Sequence, residues 1–596
     1  MQSAETVLDV IRRRGERGQP IERLYRQLFN PQLYLMAYGR IHSNQGAMTP
    51  GVTGETVDGM SLAKIEAIID ELRHERHRWS PVKRVYIPKK NGKKRPLGLP
   101  TWTDKLIAEV VRLLLEAYYD VQFSVHSHGF RPGRGCHTAL SEVVNVWRGT
   151  HWFIEGDISD CFGSLDHLVM KSILAENIHD GRFLRLINNM LRAGYLEDWR
   201  WNVTLSGAPQ GGVASPILSN IYLDRLDQFV EQKLIPDYTQ GRLRRPNPNY
   251  RRVKYQIRKA RLCGDRNTVH DLRKRMHALP SHDPNDPGYR RLRYVRYADD
   301  WLLGFAGPRR EAEVIKARIQ TFLRDDLKLA LSESKTLITH ASTASARFLG
   351  YDIKVQHADD KVDRQGRRTV NGNIGLFLPK SFITERSARY MKMGRPELRG
   401  QLIHDHDYTI VSKYQNEYRG YVNYYLLAQD VHRLGRLRWV MEISMLKTLA
   451  AKHKSTVSKM ARKFKTTTQT PNGPRTCFRV VVNRDGSRKP LVAQFGGIPL
   501  QRQRTAILTD HLPAIPSPGG NELIHRLLAG CCEICEGKDN LAVHHIRKLA
   551  DLDRYGRKEK PAWIKLMAKR RRKTIVVCRQ CHADIHAGRL TVAIRK

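Results

Sequence analysis

The chain has 596 residues, room for about four domains at roughly 150 residues each, so it is too long for one small module and can bury several cores without disulfide staples. Hydrophobic residues make up 41%, with 9 Trp, 23 Tyr and 15 Phe, which excludes a disordered or collagen-like polymer. Lys and Arg number 103 against 59 Asp and Glu, a formal net charge of +44, and that surplus suits a polyanionic partner.

The N-terminus lacks a signal-peptide core, Glu5, Asp9 and Glu16 disfavour a transit peptide, and no apolar run reaches bilayer length; a soluble, unexported chain with no membrane partner is expected. Residues 1–80 read as short amphipathic helices around the loop GAMTPG at 46–51. A basic hairpin follows at 83–100 (KRVYIPKKNGKKRPLGLP), turning at Asn91-Gly92. An amphipathic helix is expected at 104–119, then mixed α/β sequence to about Gly350, as for an antiparallel sheet backed by helices. Residues 232–292 form an Arg-rich insertion of helices and loops facing a polyanion.

Helical periodicity returns at 385–465, where Tyr414, Tyr418, Tyr421 and Tyr425 share one face; a buried stripe is favoured over a base-stacking platform. Residues 466–520 are basic and broken by Pro and Gly, which reads as a linker or loosely built basic domain. Of nine cysteines, five lie between Cys531 and Cys581, a clustering that favours metal ligation in a reducing compartment over disulfides.

In RYVRYADDWLLGF (293–305), apolar strands flank Asp299-Asp300 and put two carboxylates at the tip of a tight hairpin. Adjacent like charges raise each other's pKa unless a cation such as Mg²⁺ neutralises them. In HWFIEGDISDCF (151–162), an apolar run ends at Asp157, which can present its carboxylate from a neighbouring strand. Three carboxylates on two adjacent strands would hold two Mg²⁺ ions, the arrangement for adding nucleotides to a 3′-hydroxyl. The bland alternative for a bare Asp-Asp is a solvated turn.

The order GDISDCF, APQGGVASPILSN (208–220), YADDW (297–301), LSESKT (331–336) and FLGY (348–351) resembles the motif set of reverse transcriptases. With YIPKKNGKKRPLGLP and SHGFRPGR (127–134) upstream, the likeness narrows to group II intron-encoded reverse transcriptase/maturases and covers essentially the whole chain. The resemblance implies a multidomain α+β chain. Its parts are an N-terminal RNA-binding extension (1–80), a right-hand polymerase with fingers and an antiparallel palm sheet (81–370, basic insertion at about 232–292) and an α-helical thumb or domain X (385–465). A basic DNA-binding region (466–524) and an HNH endonuclease (525–596) complete it.

By position the same likeness makes Asp157, Asp299 and Asp300 the catalytic Mg²⁺ ligands. It sets Lys89, Arg95 and Lys335 near the incoming triphosphate, Phe162 against a ribose 2′-hydroxyl and Gln210 beneath the nascent base pair; simple core packing is the alternative for Phe162. The stretch at 51–54 reads Gly-Val-Thr-Gly where the family carries Gly-Val-Asp-Gly, a departure expected to alter a loop contact.

In the tail, Cys532-x2-Cys535 and Cys578-x2-Cys581 have the spacing of a closed four-cysteine Zn²⁺ site, with Cys531 one residue out of register. Together with His544-His545 and His582-x3-His586 they resemble an HNH, or ββα-metal, nuclease. By that resemblance His544 and His582 ligate a catalytic divalent ion, His586 is a third ligand or a structural support, and His545 is the general base. The family's central Asn is replaced by the stretch Arg572-Lys573-Thr574, and a zinc-stabilised DNA-binding knuckle without nuclease activity is the alternative.

The function implied is a protein that binds its intron RNA as a ribonucleoprotein, assists splicing, nicks target DNA and copies the intron with dNTPs by target-primed synthesis. A bacterial cytoplasmic, nucleic-acid-associated location goes with it, an organellar origin being left open. Two rivals stand beside it. A reverse transcriptase of another lineage, such as a retron or diversity-generating type, leaves the tail and domain X unexplained. A splicing-only RNA-binding maturase has no need of intact Asp157, Asp299 and Asp300.

Overall fold

The computed structural model describes residues 2–44, 46–88, 92, 94–197, 200–202, 206–207, 212–365, 368–483, 490–508, 521–549, 552, 560–570 and 572–589. It is a mixed α/β molecule with several separate sheets. The central sheet runs in the order Arg291–Tyr297, Asp300–Ala306, Trp152–Asp157, Ile338–His340, every neighbouring pair antiparallel. The two inner strands carry apolar runs, WFI (152–154) and WLL (301–303), and Ile154, Leu303 and Phe305 have no exposed surface.

Helix Trp102–Tyr119 starts where the Thr101 hydroxyl accepts the Asp104 N–H. Expected to be amphipathic, it is instead buried nearly all round. Its charged residues survive burial by pairing: Arg112 bonds Glu109 at 2.8 Å and also Glu116, with Arg40 alongside. The basic hairpin forms as Val82–Pro88 paired with Lys94–Leu99, and Val82–Pro88 takes Tyr195–Glu197 as a parallel neighbour. Lys89 and the turn residue Asn91 lie outside the described residues, as does Gln210.

The Arg-rich insertion is largely a helical hairpin, Pro248–Leu262 and Arg266–Ala278, in which Val253 and Ile257 are the buried positions. Helices Asp407–Tyr424 and Leu434–Lys452 pack around Tyr414 and Tyr418, both 0% exposed, so the tyrosine stripe is core. Residues read from sequence as a linker or loose domain prove ordered over much of their length. Strands Lys465–Thr470, Gly473–Val482 and Leu491–Gly496 form an antiparallel sheet whose Phe478, Val480, Ala493 and Phe495 join the core of those helices. The β-branched run TTT (466–468) and the apolar residues Phe478, VVV (480–482) and LVA (491–493) favour strands despite the Pro and Gly that suggested a linker.

The tail folds around strands Ala542–His545 and Thr574–Val577 with helices Ala562–Arg570 and Arg579–His586. Its sheet is extended by Met60–Ser61 from the other end of the chain, Met60 opposite Val543. Val543, Val576 and helix Glu522–Leu528 share one core with helix Pro31–Ile41. Among the described residues no helix is long and apolar enough to cross a membrane.

Candidate active sites

Strand Trp152–Asp157 ends opposite the start of Asp300–Ala306, in a register that makes Asp157 and Asp300 cross-strand partners. Gly156 permits this closeness: a Cβ there would stand 1.9 Å from the Trp301 ring, which lies across the strand. Asp299 occupies the connecting turn beside Ala298, whose φ of 56° is left-handed and costs a non-glycine residue about 1–2 kcal/mol.

A fully buried cation braces that turn. Arg296 donates to Asp227 at 2.6 and 2.7 Å, to Ser127 Oγ at 2.9 Å and to the Ala298 carbonyl at 2.9 Å. From the SHGF segment, Gly129 presses so close that a Cβ would sit 2.3 Å from the Ala298 nitrogen. Neither Arg296 nor Asp227 is marked by local pattern, because the three segments they join are distant in sequence.

Burial, then the charges of Asp299 and Asp157, push Asp300 up to about 7; Asp299 is raised by burial and by Asp157. Asp299 and Asp300, held where they resist ionisation with the Asp157 carboxylate beside them, fit hard divalent cations with oxygen ligands, so magnesium suits the site. Lys335 Nζ donates to Asp157 at 2.8 Å, and Arg95 on the basic hairpin lies close enough to lower the Asp299 pKa. Phe162 is half-buried, edge-on to Phe130 with ring centroids 6.5 Å apart.

The tail gathers two clusters, each with all ligand atoms within 4.8 Å of one another: Cys532, Cys535, Cys578 and Cys581, and Asp58, His544, His582 and His586. Cys535 and Cys578 have their sulfurs 3.7 Å apart. A zinc tetrahedron with bonds near 2.3 Å has edges of about 3.8 Å, so the sulfurs fit that ion.

Asp58 carries no sequence signal and comes from the N-terminal segment. Its Oδ1 lies 3.2 Å from His544 Nδ1 and 3.5 Å from His582 Nε2, and its Oδ2 lies 2.8 Å from His586 Nε2. Burial opposes its ionisation, but His544, His582 and the His545 backbone N–H outweigh burial and hold it well below the usual carboxylate range.

His545 points to the other face of its strand, as adjacent strand residues must. There its Nε2 lies 2.9 Å from the Tyr38 hydroxyl, and burial followed by nearby His42 pushes its pKa down to about 3. The structure therefore groups His544, His582 and His586 and sets His545 apart from them. His545 borders a cavity of about 730 Å³ also lined by Arg526, Arg547, Lys548 and Arg572. In place of the central Asn, Arg572 pairs with Glu522.

Residues 87–353 match the reverse transcriptase (RNA-dependent DNA polymerase) family, 377–480 the type II intron maturase family and 532–582 the AI2M/AI1M-like HNH endonuclease family. The chain is 38% identical over 588 residues to the group II intron-encoded protein LtrA of Lactococcus lactis subsp. cremoris, covering 94% of this chain and 95% of that one. It is 32% identical to the putative COX1/OXI3 intron 1 protein of Saccharomyces cerevisiae, covering 94% and 68%. Against the 91 kDa protein in the cob intron of Schizosaccharomyces pombe identity is 33%, covering 95% and 70%.

Proposed function

The chain belongs to the group II intron-encoded proteins, with reverse transcriptase, type II intron maturase and HNH endonuclease domains, and we propose that Asp157, Asp299 and Asp300 are its nucleotide-joining centre. The observation that carries this reading is the cross-strand pairing of Asp157 with Asp300 beside Asp299. Magnesium held there would lower the pKa of a primer 3′-hydroxyl and neutralise the departing pyrophosphate. Lys335, Arg95 and Lys89 receive the triphosphate of a dNTP as fixed cations, sparing the transition state any reorganisation cost. Phe162 rejects a ribose 2′-hydroxyl by bulk, and Gln210 supports the new base pair.

In this reading residues 81–370 are fingers and palm and 385–465 the thumb, and they grip the intron RNA as a ribonucleoprotein together with 1–80. Residues 466–524 bind target DNA, which the 525–596 tail nicks. The four cysteines hold a structural zinc, while His544, His582 and His586 hold the nuclease ion. His545, kept neutral by burial, is the base; to act, its Nε2 exchanges the Tyr38 hydroxyl for the attacking water. The basic cavity it borders suits a DNA phosphate.

Primer extension on an RNA template with Mg²⁺ tests the polymerase centre. Asp299→Ala is expected to reduce extension to background; extension at the wild-type rate refutes the assignment.

A further inference from the structure

We propose that the metal centre of the tail is completed from the opposite end of the chain, with Asp58 as the fourth ligand of the ion held by His544, His582 and His586. This rests on the reading of those histidines as a metal site. Three imidazoles and a carboxylate give a four-coordinate ion, which can expand to five when a DNA phosphate approaches. The four side chains are near enough to share one ion. His544 Nδ1 is buried and makes no hydrogen bond among the described residues, so its lone pair is available to a cation.

The backbone holds Asp58 in place. Gly59, with φ 77°, donates its N–H to Val543 O at 3.0 Å, and Met60–Ser61 continues as a strand of the tail sheet. The remaining coordination of Asp58 Oδ1 is set by the His545 N–H at 2.7 Å, the second contact expected of a ligating carboxylate. The ion thus ties the N-terminal segment to the tail, and its affinity depends on both.

The full-length chain, its thiolate site loaded with zinc and Mg²⁺ present in excess to occupy the other carboxylates, is titrated with Co²⁺ and read by visible d–d absorption. Wild type is expected to show the intense band of four-coordinate cobalt without thiolate charge transfer. Asp58→Asn keeps the side-chain volume and an oxygen for the His545 N–H, and is expected to weaken binding about 10- to 100-fold and to lower the band's intensity as water enters. His544→Ala is expected to abolish the band. Equal affinity and spectrum in Asp58→Asn, with the band abolished in His544→Ala, overturn the role of Asp58 while leaving the histidine site standing. Absence of the band in wild type overturns the histidine site, and this inference with it.

Discussion

Arg296 has no exposed surface, and its guanidinium bonds Asp227, Ser127 and the carbonyl of Ala298, one residue before Asp299. Such a pair adds little net stability over an apolar pair, but losing one partner strands a buried charge. Arg296→Ala is therefore expected to destabilise the protein by about 3–5 kcal/mol, seen as a lower denaturant midpoint. The double replacement of Arg296→Met with Asp227→Leu should recover much of that deficit. If the single variant unfolds at the wild-type midpoint, the turn is braced by something else. Asp157, Asp299 and Asp300 could be read from sequence because each ends or begins an apolar run, a local signal. Arg296 and Asp58 could not, since their partners lie far away; Asp58 and His545 are 487 residues apart.

At the scale of elements, the tail sheet docks on the N-terminal segment through buried imidazoles. His42 is pushed down to about 4, by burial and then by Arg526, and His545 to about 3. Both are depressed below their unfolded values near 6.5, so the stability they contribute is full above about 6.5 and is lost as pH falls toward 4 and then 3. Asp58, depressed in the fold but protonating in the ordinary carboxylate range once unfolded, adds to the loss below about pH 5. Hydrogen exchange corrected for intrinsic rates should show strand Ala542–His545 losing protection at mildly acid pH while Trp152–Asp157 keeps it. Equal loss in the two strands would contradict this. The cysteine pairs announced their cluster by spacing alone. The added strand Met60–Ser61 is two residues long, too short for any periodicity, and only its partner reveals it.

For the molecule as a whole, the surplus of +44 must be exercised over surfaces that touch nucleic acid. The helical hairpin Pro248–Leu262 and Arg266–Ala278 exposes Arg251, Arg252, Arg258 and Arg261 and buries little of itself. Replacing those four arginines with Ala should leave the thermal midpoint nearly unchanged. It should also flatten the dependence of log affinity for structured RNA on log salt by about 0.7–0.9 for each phosphate no longer neutralised. An unaltered salt slope would place the RNA on another face.

Sequence by itself determined the apolar runs of the central strands, the cysteine and histidine spacings and the basic surplus, because each is written in residues that are neighbours along the chain. Tertiary structure alone decided that Arg296 braces the turn, that Lys465–Thr470, Gly473–Val482 and Leu491–Gly496 form a packed sheet, and that Asp58 meets the tail histidines while His545 faces Tyr38. Those outcomes depend on packing between segments from tens to about five hundred residues apart. Loop closure over such distances costs only logarithmically more, so it leaves no local mark from which the partner could be read.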